Sequence, residues 1–260
     1  MLGTINKAGR VLDLFTFTTP EWGVSEVAAE IRVPKSSAHA LLATLTDIGL
    51  LRRVPDGRYR LGWRIPDLNR TLVGSTDFLV TARARTQQLA DQLHATIHVA
   101  ALREHDIIYL DKVIGGGTTD FASSGVGLAA PVHCTALGKV LLAALDTKTA
   151  DALIDRHGLS GHTPRTITSS TRLREELVAT RRRGWGYDLE EAANRVCCVA
   201  APIRDHTGTV QAAISASIPR QLFGTRRDLL LRNIQAAAAS ISRQASSTGS
   251  VRHIGVGVAG

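Results

Sequence analysis

Hydrogen-bond donors and positive charges are concentrated between residues 32 and 64. This stretch holds seven Lys and Arg residues against two Asp residues, a local charge of +5 in a 260-residue chain whose formal net charge is +8. Positive side chains at this density suit the phosphates of nucleic acid, where they give salt-dependent affinity without sequence preference. Hydroxyl and ammonium groups can also donate to base edges in the major groove. The predicted DNA contacts are Lys35, Ser36, Ser37 and His39 for bases or phosphates, and Arg52, Arg53, Arg58 and Arg60 for phosphates.

Three helices and a hairpin are predicted to position these groups. Apolar residues recur at i, i+3, i+4 and i+7 within segments 8–15, 24–31 and 38–45, which is the spacing of one helical face. Ser25 and Glu26 are expected to provide a cap and a first-turn acid for the second helix. Two strand patterns then flank the turn sequence Pro55-Asp56-Gly57. This order predicts a winged helix-turn-helix domain over residues 1–64, a unit that places its third helix in a DNA groove.

The second strand of the hairpin is expected to have two different faces. The period of two places Tyr59, Leu61 and Trp63 on one face and Arg58 and Arg60 on the other. We therefore expect the first face to pack on the helices and the second to remain a cationic surface.

Other patterns have the spacing of a reactive or metal site but lack its context. Residues 125–130 fit the loose dinucleotide fingerprint G-x-G-x-x-A, yet the proline that follows disfavours the helix that this site needs. Cys197 and Cys198 are adjacent on a predicted strand, so their thiols point to opposite faces. His94 and His98 have i, i+4 spacing, but their segment is predicted to be a strand and no acid lies between them. With no G-x-S-x-G or Walker sequence present, we predict no catalytic residue, metal or cofactor.

The remainder of the chain predicts a second domain of α+β class. Strand patterns at 95–102 with 107–113, and at 196–204 with 209–218, indicate antiparallel hairpins between helical segments. The predicted divisions are a linker helix over residues 65–76, this second domain over residues 77–246, and a disordered tail over residues 247–260.

The linker helix is predicted to take part in self-association. Its residues Leu68, Leu72 and Val73 are apolar on a segment that is too short to bury them alone, so we expect it to form a dimer contact together with the first helix. No stretch is long and apolar enough to span a membrane, and the first residues lack the pattern of a signal peptide. Only three cysteines occur, so a cytoplasmic protein with reduced thiols is expected.

Residues 5–244 resemble the IclR family of bacterial transcription regulators. The N-terminal segments that carry the resemblance are Asn6-Lys7-Ala8, Val33-Pro34-Lys35-Ser36-Ser37, Leu41-Leu42, Gly49-Leu50 and Asp56-Gly57-Arg58-Tyr59-Arg60-Leu61-Gly62. Later segments are Pro131-Val132-His133-Cys134-Thr135-Ala136-Leu137-Gly138-Lys139, beside the family's P-L-H-A-T-A-x-G-K, and Arg183-Gly184-Trp185-Gly186-Tyr187-Asp188-Leu189-Glu190-Glu191, beside its R-G-Y-A-x-D-x-E-E. Cys198-Val199-Ala200-Ala201-Pro202-Ile203 and Ala213-Ile214-Ser215-Ala216-Ser217 complete the series in order.

This resemblance implies a homodimer of winged-helix domains, often assembled into a homotetramer, with a GAF-like C-terminal domain that binds a small-molecule effector. The effector-binding residues that it implies are Ala130, Ala136, Leu137, Asp188, Cys198, Ser215 and Ser217. The strand pattern agrees for two of them, because Ser215 and Ser217 are two residues apart and face the same side.

Two departures from the family pattern affect the expected contacts. Ala40 stands where many members have an arginine in the third helix, which removes a possible DNA contact. The family's E-N-x-x-G is here Glu191-Ala192-Ala193-Asn194-Arg195, with Arg in place of Gly. Arg195 could pair with an acidic effector or with a neighbouring glutamate, and the sequence does not decide between them.

Three functions are consistent with these residues. The first is a ligand-responsive regulator without catalysis, which binds a double-stranded DNA operator and senses a small organic or aromatic acid. The second is an enzyme that uses Asp188 and Cys198, although a cysteine nucleophile needs a base and an activated thiolate. The third is a partner-binding module whose pocket is filled by side chains. The operator, the effector and the choice between repression and activation are left open.

Overall fold

The chain forms two compact units. The computed structural model describes residues 3–74, 77–103, 106–116 and 124–247, and the units comprise Met1–Ser75 and Thr76–Gly260. The predicted tail, residues 247–260, lies outside the described residues except for Ser247, which ends the last helix. No helix among the described residues has the length and apolar character needed to cross a membrane.

The first unit contains four helices and a two-stranded hairpin. Their bounds are α1 (Gly3–Asp13), α2 (Val24–Glu30), α3 (Lys35–Asp47), β1 (Leu51–Arg53), β2 (Tyr59–Leu61) and α4 (Arg64–Gly74). The predicted apolar faces of α2 and α3 meet in one core, which includes Val27, Leu42 and Leu45. The predicted cap of α2 is wrong: Gly23 precedes the helix, and Glu26 accepts a hydrogen bond from its N–H at 2.8 Å. Ser25 is instead the second residue of the helix.

The expected packing face of the hairpin is also wrong beyond Tyr59. Tyr59 is buried in the core of the unit, but Leu61 is 41% and Trp63 is 76% exposed. The physical reason is the short length of the strands, since the core contains Leu51 and Tyr59 from the hairpin and extends no farther along it. Trp22 adds a single bridge to Tyr59 at the edge of this small sheet.

The second unit is a six-stranded antiparallel sheet with helices on both faces. Its helices are α5 (Asp77–Leu93), α6 (Ala136–Ala144), α7 (Thr147–His157), α8 (Ser170–Arg183) and α9 (Arg220–Ser247). Its strands are β3 (Thr96–Arg103), β4 (Asp106–Ile114), β5 (Ala129–Ala130), β6 (Gly186–Leu189), β7 (Val196–Arg204) and β8 (Val210–Pro219). The strand order is β5-β4-β3-β8-β7-β6.

Alternation along the strands separates the two faces of this sheet. Ala200 and Ala213 belong to the core cluster that α6 and α8 complete, and Cys198 packs against it. The intervening residues face the side on which α5 and α9 pack. The face toward α6 therefore contains the predicted effector residues Cys198 and Ser215.

Candidate functional site

The first turn of α3 presents the predicted base-contacting groups. Lys35, Ser36 and His39 are exposed and Ser37 is half-buried, on the side opposite the buried leucines of the helix. Pro34 precedes the helix and makes no side-chain cap, so the first N–H groups of α3 have no side-chain acceptor at that residue. A helix N-terminus with a lysine at its first position is suited to a phosphate oxygen.

Arg58, just before β2, and Arg60, within it, are paired with glutamates of the unit, which corrects the expectation of a free cationic face. Arg58 donates to Glu26 Oε2 at 2.7 Å, and this hydrogen bond lowers the pKa of the Glu26 carboxyl. Arg60 donates through Nε to Glu21 Oε1 at 2.5 Å. Both glutamates lie before residue 32 in the chain, so a local count of charge missed them.

The arginines of the first strand are placed differently. Arg52 is half-buried, with its guanidinium 5.7 Å from the centre of the Trp63 ring, and Arg53 is exposed. This distance lies within the range of a cation–π contact, since cations are attracted to the faces of aromatic rings.

A second candidate site is a small cavity in the second unit, between the sheet and the start of α6. Its volume is about 60 Å³. The sheet provides its floor, the first turn of α6 provides a wall, and residues 190–195, the covering loop, contribute Ala192 and Ala193. The lining residues are His98, Tyr109, Ser124, Thr135, Ala136, Leu137, Asp188, Ala192, Ala193, Val196, Cys198, Ser215 and Ser217.

The structure brings together six of the seven predicted effector residues and excludes Ala130. Ala136, Leu137, Asp188, Cys198, Ser215 and Ser217 line the cavity. Ala130 is instead buried in the core, where β5 pairs it with Ile107. A two-residue strand gives no periodic pattern, so its pairing could not be predicted from the sequence.

Strand register explains which polar groups converge on the cavity. Asp188 is paired with Cys198, which is paired with Ser217, while Ser215 is paired with His98. Residues paired directly across antiparallel strands point to the same face. The place of His98 in this row could not be predicted from the sequence, because β3 and β8 pair segments more than 100 residues apart.

Asp188 is held by the covering loop and is buried away from water. Its Oδ1 accepts hydrogen bonds from the backbone N–H groups of Glu191 at 2.7 Å and Ala192 at 3.3 Å. Burial nevertheless raises the pKa of the Asp188 carboxyl to about 7. The Cys198 Sγ lies 3.8 Å from Asp188 Oδ2 and 3.0 Å from Ser217 Oγ, and burial raises the pKa of this thiol well above its ordinary value.

His98, Tyr109 and Ser124 line the other side of the cavity, and Lys112 lies next to them outside the lining. The His98 Nε2 is 2.8 Å from Ser124 Oγ, and the His98 ring lies 5.2 Å from that of Tyr109. Lys112, paired with His98 across the strands, donates to the Ser124 carbonyl at 2.6 Å. Burial raises the pKa of the Tyr109 hydroxyl, which therefore stays protonated as a donor.

A buried ion pair anchors the covering loop from behind. Lys139 is 1% exposed, and its Nζ lies 2.6 Å from Glu191 Oε1 and 3.5 Å from Glu176 Oε1. The Thr166 hydroxyl donates to the Glu191 carbonyl at 2.6 Å. The loop is thereby tied to α6 and to the segment before α8.

Arg195 serves the backbone of this loop rather than the cavity. It does not line the cavity, its φ is +64°, and its N–H donates to Glu190 Oε1 at 3.0 Å. The other oxygen of Glu190 contacts Arg165 and Arg220, so the carboxylate is already paired. A left-handed φ at this position explains why a glycine suits the same place in the family pattern.

A group of potential metal ligands lies just before α6. One ligand atom each from His133, Cys134 and His162 lies within 4.8 Å of the others. Burial raises the pKa of the Cys134 thiol to about 12 and lowers that of the His133 imidazole. This group has no local sequence signature, because His162 is distant from the other two residues in the chain.

Comparisons with known proteins identify both units. The family "IclR helix-turn-helix domain" matches residues 4–55, and the family "Bacterial transcriptional regulator IclR C-terminal" matches residues 70–243. The HTH-type transcriptional regulator XynR of Escherichia coli (strain K12) is 33% identical over 218 residues, which cover 84% of this chain and 86% of that protein.

Solved structures show the same fold. An IclR transcriptional regulator from Alicyclobacillus acidocaldarius gives a TM-score of 0.85 at 24% identity, covering 95% of this chain and 100% of that chain. An IclR homologue from Microbacterium hydrocarbonoxydans, solved with 4-hydroxybenzoate, gives a TM-score of 0.84 at 22% identity, again covering 95% of this chain and 100% of that chain. This chain belongs to the IclR family of bacterial transcriptional regulators, with a helix-turn-helix DNA-binding domain and a C-terminal effector domain.

Proposed function

We propose that this regulator releases or engages its operator in response to a small organic or aromatic acid bound in the cavity of the second unit. The observation that carries the proposal is the row of polar groups beneath the covering loop, in which Asp188, Cys198 and Ser217 are neighbours across three strands. A few convergent polar groups in an otherwise apolar cavity are typical of a small-molecule site.

The donors around the cavity favour a carboxylate ligand. Ser215 and Ser217 supply hydroxyls, and His98 supplies an imidazole nitrogen from the neighbouring strand. Asp188 would repel a carboxylate if it were ionised, but a pKa of about 7 allows it to remain protonated near neutral pH. The Microbacterium homologue was solved with 4-hydroxybenzoate, which is an acid of the proposed class.

The covering loop has to move when such a ligand binds. A cavity of about 60 Å³ holds about four water molecules at roughly 15 Å³ each. An aromatic acid needs more room, and Ala192 and Ala193 are the lining residues that belong to an irregular loop. We therefore expect ligand binding to displace these two residues.

The experiment is a calorimetric titration of carboxylic acids, including 4-hydroxybenzoate, against the full chain and its Ser215→Ala variant. Losing a hydrogen bond to a charged ligand costs about 1.5 to 3 kcal/mol, so the variant should bind roughly ten- to a hundred-fold more weakly. Ser242→Ala is the matched control, because Ser242 lies on α9, which packs on the opposite face of the sheet. If no acid binds, or if Ser215→Ala leaves the affinity unchanged, the cavity is not the effector site.

The DNA-binding part of the proposal rests on the first turn of α3. Lys35 is exposed at the first position of the helix and can neutralise a phosphate. Arg52 and Arg53 would add phosphate contacts from the hairpin, while Arg58 and Arg60 would first have to leave their glutamate partners.

We also propose that the active form is a dimer built through the first unit, with a tetramer as the larger assembly. Ile5 of α1 and Leu68 and Leu72 of α4 are 68%, 49% and 56% exposed. Apolar side chains at this exposure on two helices of one small unit are suited to a two-fold interface. The side chain of Val73, predicted to join them, lies outside the described residues.

The enzyme alternative gains no support from the geometry of Asp188 and Cys198. A nucleophilic cysteine needs a lowered pKa, whereas burial raises that of the Cys198 thiol. Its Sγ lies 3.0 Å from Ser217 Oγ, which cannot serve as a general base at neutral pH, and 3.8 Å from Asp188 Oδ2.

A further inference from the structure

The turn before α6 and the segment between α7 and α8 bring two imidazoles and one thiol together. His133 and Cys134 are consecutive residues, and His162 approaches them from the other segment, with one ligand atom of each within 4.8 Å of the others. Imidazole nitrogen and thiolate sulfur are the ligands that Zn²⁺ prefers in proteins. Because the two segments are separate in the chain, local turn geometry alone does not explain this convergence.

We propose that His133, Cys134 and His162 form a zinc-binding site with three protein ligands and water in the fourth position. Bond lengths of about 2.05 Å for nitrogen and 2.3 Å for sulfur place the ligand atoms of a tetrahedral site roughly 3.3 to 3.6 Å apart. The present separation therefore has to close by at most about 1.5 Å. His162 can supply this movement, because its side chain is exposed whereas the other two are buried.

The surroundings of the site already meet two requirements of a metal centre. The His133 Nε2 lies 3.0 Å from the Ser160 carbonyl oxygen. Metal-binding histidines usually donate one ring N–H to such an acceptor, which orients the ring and leaves the other nitrogen for the metal. The exposed His162 provides the second requirement, a path by which an ion can enter from solvent.

Cys134 distinguishes this chain from the family pattern that it resembles. The segment reads His133-Cys134-Thr135-Ala136 where the pattern has H-A-T-A, so a thiol takes the place of one hydrogen of the alanine methyl group. Cys134→Ala therefore restores the residue of the pattern, and the fold is expected to tolerate it.

Zinc in this site would join two segments that position the effector cavity. Thr135, directly after Cys134, lines the cavity and caps α6 through a hydrogen bond from the Gly138 N–H. The backbone N–H of His162 donates to Thr166 Oγ1 at 3.0 Å, and the same hydroxyl group donates to the Glu191 carbonyl of the covering loop. The ion would therefore link the first turn of α6, which forms a wall of the cavity, to the segment that holds the covering loop through Thr166.

The test measures Zn²⁺ binding to the full chain by competition with a chromophoric chelator, in a buffer with a non-chelating phosphine reductant. We expect one tight site per chain, weakened at least about 100-fold in both Cys134→Ala and His162→Ala, since each removes a ligand. The matched controls are Cys197→Ala, which removes another buried free thiol, and His206→Ala, which removes another exposed imidazole.

Cobalt gives an independent measurement at the same site. Co²⁺ bound to the wild type should show a thiolate-to-metal charge-transfer band that is absent from Cys134→Ala and present in the two controls. Equal Zn²⁺ affinity in all five proteins, or a cobalt spectrum without a thiolate band, would overturn the proposal. His162→Ala keeps the test valid if Cys134→Ala does not fold, because His162 lies at the surface.

Discussion

Replacing Asp188 with Asn should change how the stability of the second unit depends on pH. The carboxyl has a pKa of about 7 in the folded state against an ordinary value of 3.8, chiefly because it is buried. Between these values the folded state keeps a proton that the unfolded state has lost, so the stability contributed by Asp188 falls as the pH rises through this window. An Asn side chain does not titrate, and its carbonyl oxygen can still accept from the N–H groups of Glu191 and Ala192.

The size of the effect follows from the width of the window. Each pH unit between the two pKa values changes the free energy of unfolding of the wild type by about 1.36 kcal/mol. The free energy of unfolding of Asp188→Asn minus that of the wild type should therefore rise by about 2.5 kcal/mol from about pH 5 to about pH 8. The difference between the two proteins cancels the titration of groups that do not interact with Asp188.

Urea unfolding followed by the fluorescence of Trp185 measures this difference within the second unit. Trp22 and Trp63 lie in the first unit and are replaced by Phe in both proteins, so that Trp185 is the only remaining tryptophan of the sequence. A difference in unfolding free energy that stays constant between these pH values would refute the reasoning, because Asp188 would then be ionised throughout.

Three further results are expected. Lys139→Met should destabilise the second unit by about 3 to 5 kcal/mol in urea unfolding, since it leaves the Glu191 carboxylate buried without its cation. Adding Glu191→Leu should recover most of this lost stability, and no recovery would mean that the broken ion pair is not the cause of the loss. Lys35→Ala should lower the slope of log affinity for operator DNA against log salt concentration by about one. Arg58→Ala should change this slope less, because Arg58 is paired with Glu26, and equal slopes for the two variants would contradict the prediction. The fragment 1–75, which has its own core, should sediment as a dimer at tens of micromolar, a concentration of roughly the range in which weak interfaces are populated; a monomer would place self-association in the second unit.

The elements that sequence could predict are those whose signal is local. The third helix follows from apolar residues on one face, and the end of α8 follows from Gly184, whose φ of +81° suits the position after a helix. The polar pair Ser215 and Ser217 follows from strand alternation alone. In each case a few neighbouring residues determine the structure.

The contacts that sequence could not predict join distant segments. Glu21 lies 39 residues before Arg60, so the charge count between residues 32 and 64 overestimated the free positive surface. Lys139 lies in an otherwise apolar segment, and it is buried because Glu191, 52 residues later, supplies its counter-charge. His98 enters the cavity only through the register of β3 and β8.

The contacts that close the cavity also set a condition on the effector. The ion pair with Lys139 and the hydrogen bond from Thr166 hold Glu191, so the movement that admits a ligand falls on the residues after it. Displacing Ala192 breaks the longer of the two hydrogen bonds to Asp188 Oδ1, while the Glu191 N–H keeps its own, and losing one such bond costs about 0.5 to 1.5 kcal/mol. A ligand that donates a hydrogen bond to Asp188 offsets this loss, whereas a simple carboxylate cannot. An acid that also bears a hydroxyl group can place its carboxylate near Ser215 and its hydroxyl at Asp188, and we expect such an acid to bind more tightly than the same acid without the hydroxyl.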